Sequence, residues 1–362
     1  MKQLYDIWFA HIMGVNCSNG GRIAQSGFGP RFYYNCRDSL KQFNIFTERQ
    51  TEAAATTSLE DVEDIYRIHT ENSIKSVNYN DGDFPERLKS IPHMPLVIFY
   101  KGDLNLLKSE YTVGIVGSRR CNGEGEQACN MIAEEIAQLG GVVVSGLAQG
   151  IDTIAHKAAV NAGGSTVAFL GTPLNEYFPK TNIKFQDKLC AEHLVISEYY
   201  CTYPYYSANF IARNRLIAAA SDALCVVQAK ERSGSLATVN RAVEYDKPVF
   251  TVPGSIFSPA YSGSNKLLVD GIAKAVTKGS QIMEYLGYTP QTEGVQEQPI
   301  VETPVLDEIS LTVLNAIDGQ MNTNTIIRTC GLKAAIVKAT LTALEMDGWI
   351  KHTDSGEYIR TK

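Results

Sequence analysis

From Tyr111 to about Gly254, short apolar and β-branched runs alternate with stretches whose apolar residues recur at helical spacing, the pattern of strands joined by crossover helices. The strand candidates are 112–116, 142–145, 166–170, 194–197, 223–227 and 248–252. Between the first two, Ala128, Ile132, Ile136 and Leu139 keep the helical period, and Gly140-Gly141 supplies the stop. Successive β-α-β links are right-handed and place helices on both faces, so the pattern predicts an α/β, doubly wound and mostly parallel sheet. Ligands of such a sheet gather at the carboxyl ends of its strands.

The flanks read differently. Residues 1–83 lack the alternation and read as short helices with polar breaks, including the acidic run from Glu60 to Asp64, which predicts a small helical domain of its own. The sheet domain is expected over 84–286, led in by Phe84-Pro85-Glu86-Arg87-Leu88 and an extended run from Pro95 to Tyr100. Residues 287–304 are rich in Pro, Gln, Glu and Thr and read as a linker. Over 305–362, apolar positions Ile309, Val313, Leu314 and Ile317 mark one helix, Thr325 to Cys330 a second, and Val337, Leu341 and Leu344 a third. A strand, turn and strand follow from Trp349 to Arg360, which together make a winged helix.

Composition narrows the function. The 362 residues are 44% hydrophobic and 20% charged, which suits a globular chain of two to three domains. The formal net charge of −6 excludes a uniformly basic binder, so any nucleic-acid contact must rest on a local cationic cluster. The 8 cysteines form no C-x-x-C pair, and neither a metal site nor a disulfide framework is expected. The first residues make a poor signal peptide and no long apolar run occurs, so the reading is a cytoplasmic protein without a membrane span.

Candidate chemistry lies in the turns that follow the strands. The first ends in Gly117-Ser118-Arg119-Arg120, where glycine permits a tight turn and two guanidiniums suit phosphate. The second, Ser145-Gly146-Leu147-Ala148-Gln149-Gly150-Ile151-Asp152, predicts another anion cradle with Ser145 as hydroxyl donor. Asp152 reads as an acid that complements a helix N-terminus, and His156, four residues on, as its ordinary partner on one helix face. After the third strand, Tyr177, Lys180 and Asn182 mix an aromatic, a cation and an amide, as base stacking with phosphate contact requires. Phe210, Arg213, Asn214 and Arg215 open an apolar helix, and arginines there need carboxylates or a phosphate to face them. The fifth strand leads to Arg232-Ser233-Gly234-Ser235, a third glycine-hydroxyl turn. Gly123-x-Gly125-x-x-Ala128 matches the dinucleotide fingerprint in form. It starts too far from the strand end, however, and no acid closes the next strand, so no cofactor is expected.

Taken in order, Gly117-Ser118-Arg119, Ser145-Gly146-Leu147-Ala148-x-Gly150-Ile151-Asp152-x-x-Ala155-His156, Phe210-x-x-Arg213-Asn214-Arg215, Ser233-Gly234-Ser235 and Val252-Pro253-Gly254 resemble the DNA-processing protein A (DprA/Smf) family, from about Phe84 to Ala275. The resemblance implies an extended Rossmann-like domain that binds single-stranded DNA, forms a homodimer, and loads RecA recombinase onto incoming DNA during natural transformation. The leading reading is a binding protein without catalysis. Two departures stand out: Gln228 where the family usually carries Glu, and Asn240 where a small residue is usual. A competing reading is a phosphoribohydrolase-type nucleotide enzyme on a similar sheet, since Ser233-Gly234-Ser235-x-Ala237-Thr238 and Glu244 loosely match its Gly-rich, Glu-terminated motif.

Overall fold

The computed structural model describes residues 1–204, 206–289, 307–346, 348–353 and 356–361; from residue 290 on, the expected linker lies outside them. The chain divides into two compact units, Met1–Thr289 and Pro290–Lys362.

The first unit is built on a nine-stranded sheet: β1 (Lys75–Asn78), β2 (Val97–Gly102), β3 (Thr112–Val116), β4 (Val142–Ser145), β5 (Thr166–Phe169), β6 (Leu194–Ser197), β7 (Ala223–Val226), β8 (Val249–Thr251) and β9 (Lys274–Ala275). Their order is β1-β2-β6-β5-β4-β3-β7-β8-β9. Neighbours from β6 to β9 are parallel, whereas β2 runs antiparallel to β6 and β1 antiparallel to β2. The six expected strands are all present and end within a residue or two of the expected bounds. The chain winds from β3 through β4 and β5 to β6 in one direction, then returns past β3 to β7 and β8. This reversal opens a crevice above the carboxyl ends of β3 and β7.

Side-chain alternation explains the two layers of helix. On β7, Leu224 and Val226 enter one buried cluster with Leu216, Ile217 and Val239, while Ala223 and Cys225 enter another with Ile132, Ile136, Ala155 and Ala159. β3, β4, β7 and β8 each feed both cores in this way, so both faces of that part of the sheet must be covered.

Residues 1–83, expected to stand as a domain of their own, instead share the first of these cores: Ile7, Trp8, Phe9 and Ile12 pack in one cluster with Ile98 and Phe99 of β2. The union is also polar. Asp6 accepts from Asn78 Nδ2 at 2.8 Å and Ser76 Oγ at 2.6 Å, and the Cys201 N–H donates to His69 Nε2 at 2.9 Å.

The second unit contains helices Glu308–Asn315, Thr323–Cys330 and Ala334–Met346 and a hairpin of β10 (Ile350–His352) and β11 (Tyr358–Arg360). Val313, Leu314, Ile317, Ile326, Val337, Leu341, Leu344 and Ile350 form its core, the arrangement expected of a winged helix.

Candidate nucleic-acid interface

A cavity of about 490 Å³ opens above the carboxyl ends of β3 and β7. Four chain segments line it: Gly117, Ser118 and Arg119 after β3; Ala148 and Asp152 after β4; Phe210, Ile211, Arg213 and Asn214 on the helix Ala208–Ala220; and Lys230, Arg232, Ser233, Gly234 and Ser235 after β7. Phe178 closes one side.

The first two turns interlock. The Ser118 N–H donates to the Gln228 carbonyl at 2.7 Å, and the Ile151 N–H donates to the Ser118 carbonyl at 3.1 Å. Gly150, at φ 82°, allows this approach, since a Cβ there would lie 2.3 Å from the Ser118 carbonyl oxygen. The turn holds Arg119 outward, exposed, with its guanidinium 5.8 Å from the centre of the Phe210 ring. Phe178 lies against Phe210 at 5.0 Å between ring centres, and Ile211 beside them is 64% exposed. An apolar, partly aromatic step thus stands beside an exposed cation.

At the second turn the buried Asp152 places the protein's own carboxyl. Burial lifts its pKa to about 6, opposed chiefly by the Arg213 guanidinium. Ser145 is buried and donates to the Ile115 carbonyl at 2.6 Å. Asn182 is buried too, donating to Thr153 Oγ1 at 2.7 Å and the Leu147 carbonyl at 3.2 Å. His156 pairs through Nδ1 with Thr166 Oγ1 at 2.6 Å and not with Asp152.

The two arginines of the Phe210 helix part company. Arg213 Nη1 donates to the carbonyls of Gly146, at 2.7 Å, and Phe169. Burial pulls its pKa down to about 10, with Asp152 opposing. It ties the ends of two strands, β4 and β5, to the helix at the cavity floor. Arg215 lies outside the cavity, buried, with Nη2 2.6 Å from Glu198 Oε1 and Nε donating to Asn16 Oδ1 at 3.0 Å. A carboxylate faces one arginine and backbone carbonyls face the other.

Of the remaining expected residues, Arg120 and Lys180 are exposed but do not line the cavity, and neither do Gly146 and Gly150. Tyr177 turns its hydroxyl to Asp187 at 2.7 Å, and its neighbour Phe178 provides the ring at the cavity. Ser233 and Ser235 lie within 2.7 Å of each other through their hydroxyls, and Asn214 Nδ2 donates to the Gly234 carbonyl at 3.4 Å. The sequence reading had not singled out Lys230. Its signal was its place in the same loop as Arg232, where both side chains are exposed.

The geometry combines exposed cations, hydroxyls and a stacked apolar step at a topological switch point, and the comparisons follow it. The family model described as DNA recombination-mediator protein A matches residues 75–287, and the DprA winged helix domain matches 298–356. The chain belongs to the DprA family. It is 37% identical over 222 residues to the DNA processing protein DprA of Bacillus subtilis, covering 61% of this chain and 74% of that protein. To protein Smf of Escherichia coli it is 31% identical over 284 residues, covering 77% and 75%. The X-ray structure of DprA from Streptococcus pneumoniae superposes with a TM-score of 0.67 at 32% identity, covering 79% of this chain and 99% of that one. The DNA processing protein A of Helicobacter pylori, solved for its unique single-stranded DNA binding mode, gives 0.54 at 29% identity, covering 59% and 95%. Among the described residues, no cluster of three or more His, Cys, Asp or Glu side chains is arranged to hold a metal ion, and no helix is long and apolar enough to cross a membrane.

Proposed function

We propose that this DprA-family chain binds single-stranded DNA in the cavity above β3 and β7, without catalysis. The observation that carries the reading is the exposed Arg119 guanidinium standing over the Phe210 ring, with Phe178 against that ring and Lys230 and Arg232 across the cavity. Cations follow a phosphate backbone of any sequence, and an aromatic step accepts any base. The H. pylori relative's single-stranded DNA binding supports the same assignment. Loading of RecA recombinase during natural transformation and action as a homodimer in the cytoplasm complete the proposal, supported by family membership.

The phosphoribohydrolase reading fits the geometry less well. Glu244 would have to reach the glycine-serine turn, but it closes the far end of the helix Ser235–Glu244, pairs with Arg241 at 2.5 Å and does not line the cavity.

Fluorescence anisotropy with single- and double-stranded oligonucleotides of equal length tests the proposal. Preference for the single strand is expected, with a slope of log affinity on log salt near −2 to −4 for about three to five phosphate contacts. Equal or tighter duplex binding, or release of free base from a nucleoside monophosphate, would overturn it.

A further inference from the structure

Beside the cavity, after β8, the chain turns through residues 254–259 and presents two adjacent large apolar side chains to solvent: Ile256 is 83% exposed and Phe257 90%. The turn that carries them is tightly held. The Ser258 N–H donates to the Ser255 carbonyl at 3.0 Å, and the Phe257 N–H donates to Ser255 Oγ at 3.3 Å. The Asn265 side chain brackets Gly254, accepting its N–H at 3.1 Å and donating to its carbonyl at 3.0 Å. The buried Tyr261 ring packs so closely under Gly254 that a Cβ there would lie 2.0 Å from it.

The helix Ser262–Val269, which follows the turn, is fastened to the cavity wall. The Glu231 N–H donates to Ser262 Oγ at 3.3 Å, Gly263 N–H to the Ala229 carbonyl at 2.9 Å, and Ala229 N–H to Ser264 Oγ at 2.9 Å. Lys230, between these anchored residues, lines the cavity. The loop of Lys230 is thus joined by hydrogen bonds to the helix that directly follows the turn. Lys266 is exposed on that helix, and Glu231 is the exposed acidic residue next to Lys230 in the chain.

We propose that Ile256 and Phe257 form a second base-stacking step for single-stranded DNA, one that receives the strand as it leaves the cavity on the β8 side. The inference rests on the single-strand reading of the cavity and extends it to the length of strand engaged. Stacking on apolar and aromatic side chains is tolerant of sequence. A turn already fixed by hydrogen bonds loses little freedom when a base covers it.

The test uses the full chain with oligothymidines of about six and about 25 nucleotides, one able to fill the cavity and the other long enough to run past it. Phe257→Ser removes an exposed ring, and it is expected to weaken binding of the long oligonucleotide at least about fivefold and the short one far less. Phe257→Trp is expected to show fluorescence quenching with the long oligonucleotide and little with the short one. Arg119→Ala, measured in parallel, should weaken both. If Arg119→Ala weakens both but Phe257→Ser leaves the long oligonucleotide bound as tightly as the parent chain, the stacking step is refuted and the cavity reading stands. If Arg119→Ala weakens neither, the cavity reading fails and the step falls with it. A Phe257→Trp signal that changes on dilution without DNA would assign the turn to a second copy of the chain and also overturn the proposal.

Discussion

Gln228 grips Asn122 at two points: its Nε2 donates to Asn122 Oδ1 at 2.5 Å, and its Oε1 accepts the Asn122 N–H at 3.1 Å. The same Asn122 oxygen caps the helix Gly123–Gln138 by accepting the Gly125 N–H at 3.0 Å. One fully buried side chain at the end of β7 thus sets where the helix after β3 begins, and with it the stance of Arg119. A carboxylate at position 228 could accept the Asn122 N–H but could not donate to Asn122 Oδ1, so the amide belongs with the asparagine cap.

Gln228→Leu leaves the Asn122 N–H and Oδ1 without their partner and is expected to cost about 1–3 kcal/mol of stability. Asn122→Ala is expected to cost about 1 kcal/mol through the lost cap. In denaturant titrations the pair should be non-additive, with the double variant losing less than the sum. Additivity within about 0.5 kcal/mol would show that the two side chains act independently.

Arg119 and Arg215 should separate binding from stability. Arg119→Ala removes an exposed cation, so the melting temperature should hold while DNA affinity falls and the salt slope drops by about 0.7, one contact's share. Arg215→Ala strands Glu198, whose Oε2 already has no protein partner, inside the fold. It is expected to cost about 3–5 kcal/mol, with the folded fraction binding DNA as before. A variant of Arg215 with parental stability and weakened binding would reverse these roles.

Three buried groups set a pH dependence of stability. Burial lowers His69 to about 4 and His156 to about 3 from the ordinary 6.5, so each adds stability that is present above pH 6.5 and lost as pH falls through the lowered value. Asp152, raised to about 6, works the other way: its contribution is present below its ordinary 3.8 and lost as pH rises through 6. Between pH 6 and 4 the unfolded chain holds two extra protons on the histidines and the native chain one on Asp152. These groups together make stability fall on acidification, with a slope equivalent to about one proton. Asp152→Asn should steepen that loss toward twice the value, and His156→Gln should flatten it. Chemical denaturation at pH 6, 5 and 4 checks both, and an unchanged slope for Asp152→Asn would show that the carboxyl stays ionised.

The winged helix carries seven acidic against six basic side chains over 305–362, too little positive charge to anchor on phosphates. A chain ending at Gly287 is expected to keep most of its single-strand affinity. A shortened chain that stays folded yet binds tenfold more weakly, about 1.4 kcal/mol, would make the winged helix a DNA reader.

How far the sequence could be read depended on how local the signal was. β3 to β8 and their helices were legible because each repeats its period within one segment, and so was the turn that carries Arg119. β1 was not, because Lys75–Asn78 has no alternation of its own and becomes a strand by pairing Lys75 with Tyr100. The sequence could not show which partner a polar side chain would take. Ser145 and Asn182 have the chemistry of a phosphate contact, but both are buried, with Ser145 donating to the Ile115 carbonyl and Asn182 to Thr153. Sequence spacing likewise could not say which of Tyr177 and Phe178 would face Phe210.

The sharing of one core by the first helix and the sheet bears on synthesis. Trp8, Phe9 and Ile12 are made before groups that help enclose them: Phe99 on β2, then the 199–203 segment that meets His69 and His11 through Cys201 and Tyr200. At about 5–20 residues per second, roughly 10–40 s separate the synthesis of residue 12 from that of residue 200. During that interval Trp8 and Phe9 can pack on Tyr33, Tyr34 and Tyr79, but the side of this cluster that meets β2 and the 199–203 segment stays uncovered.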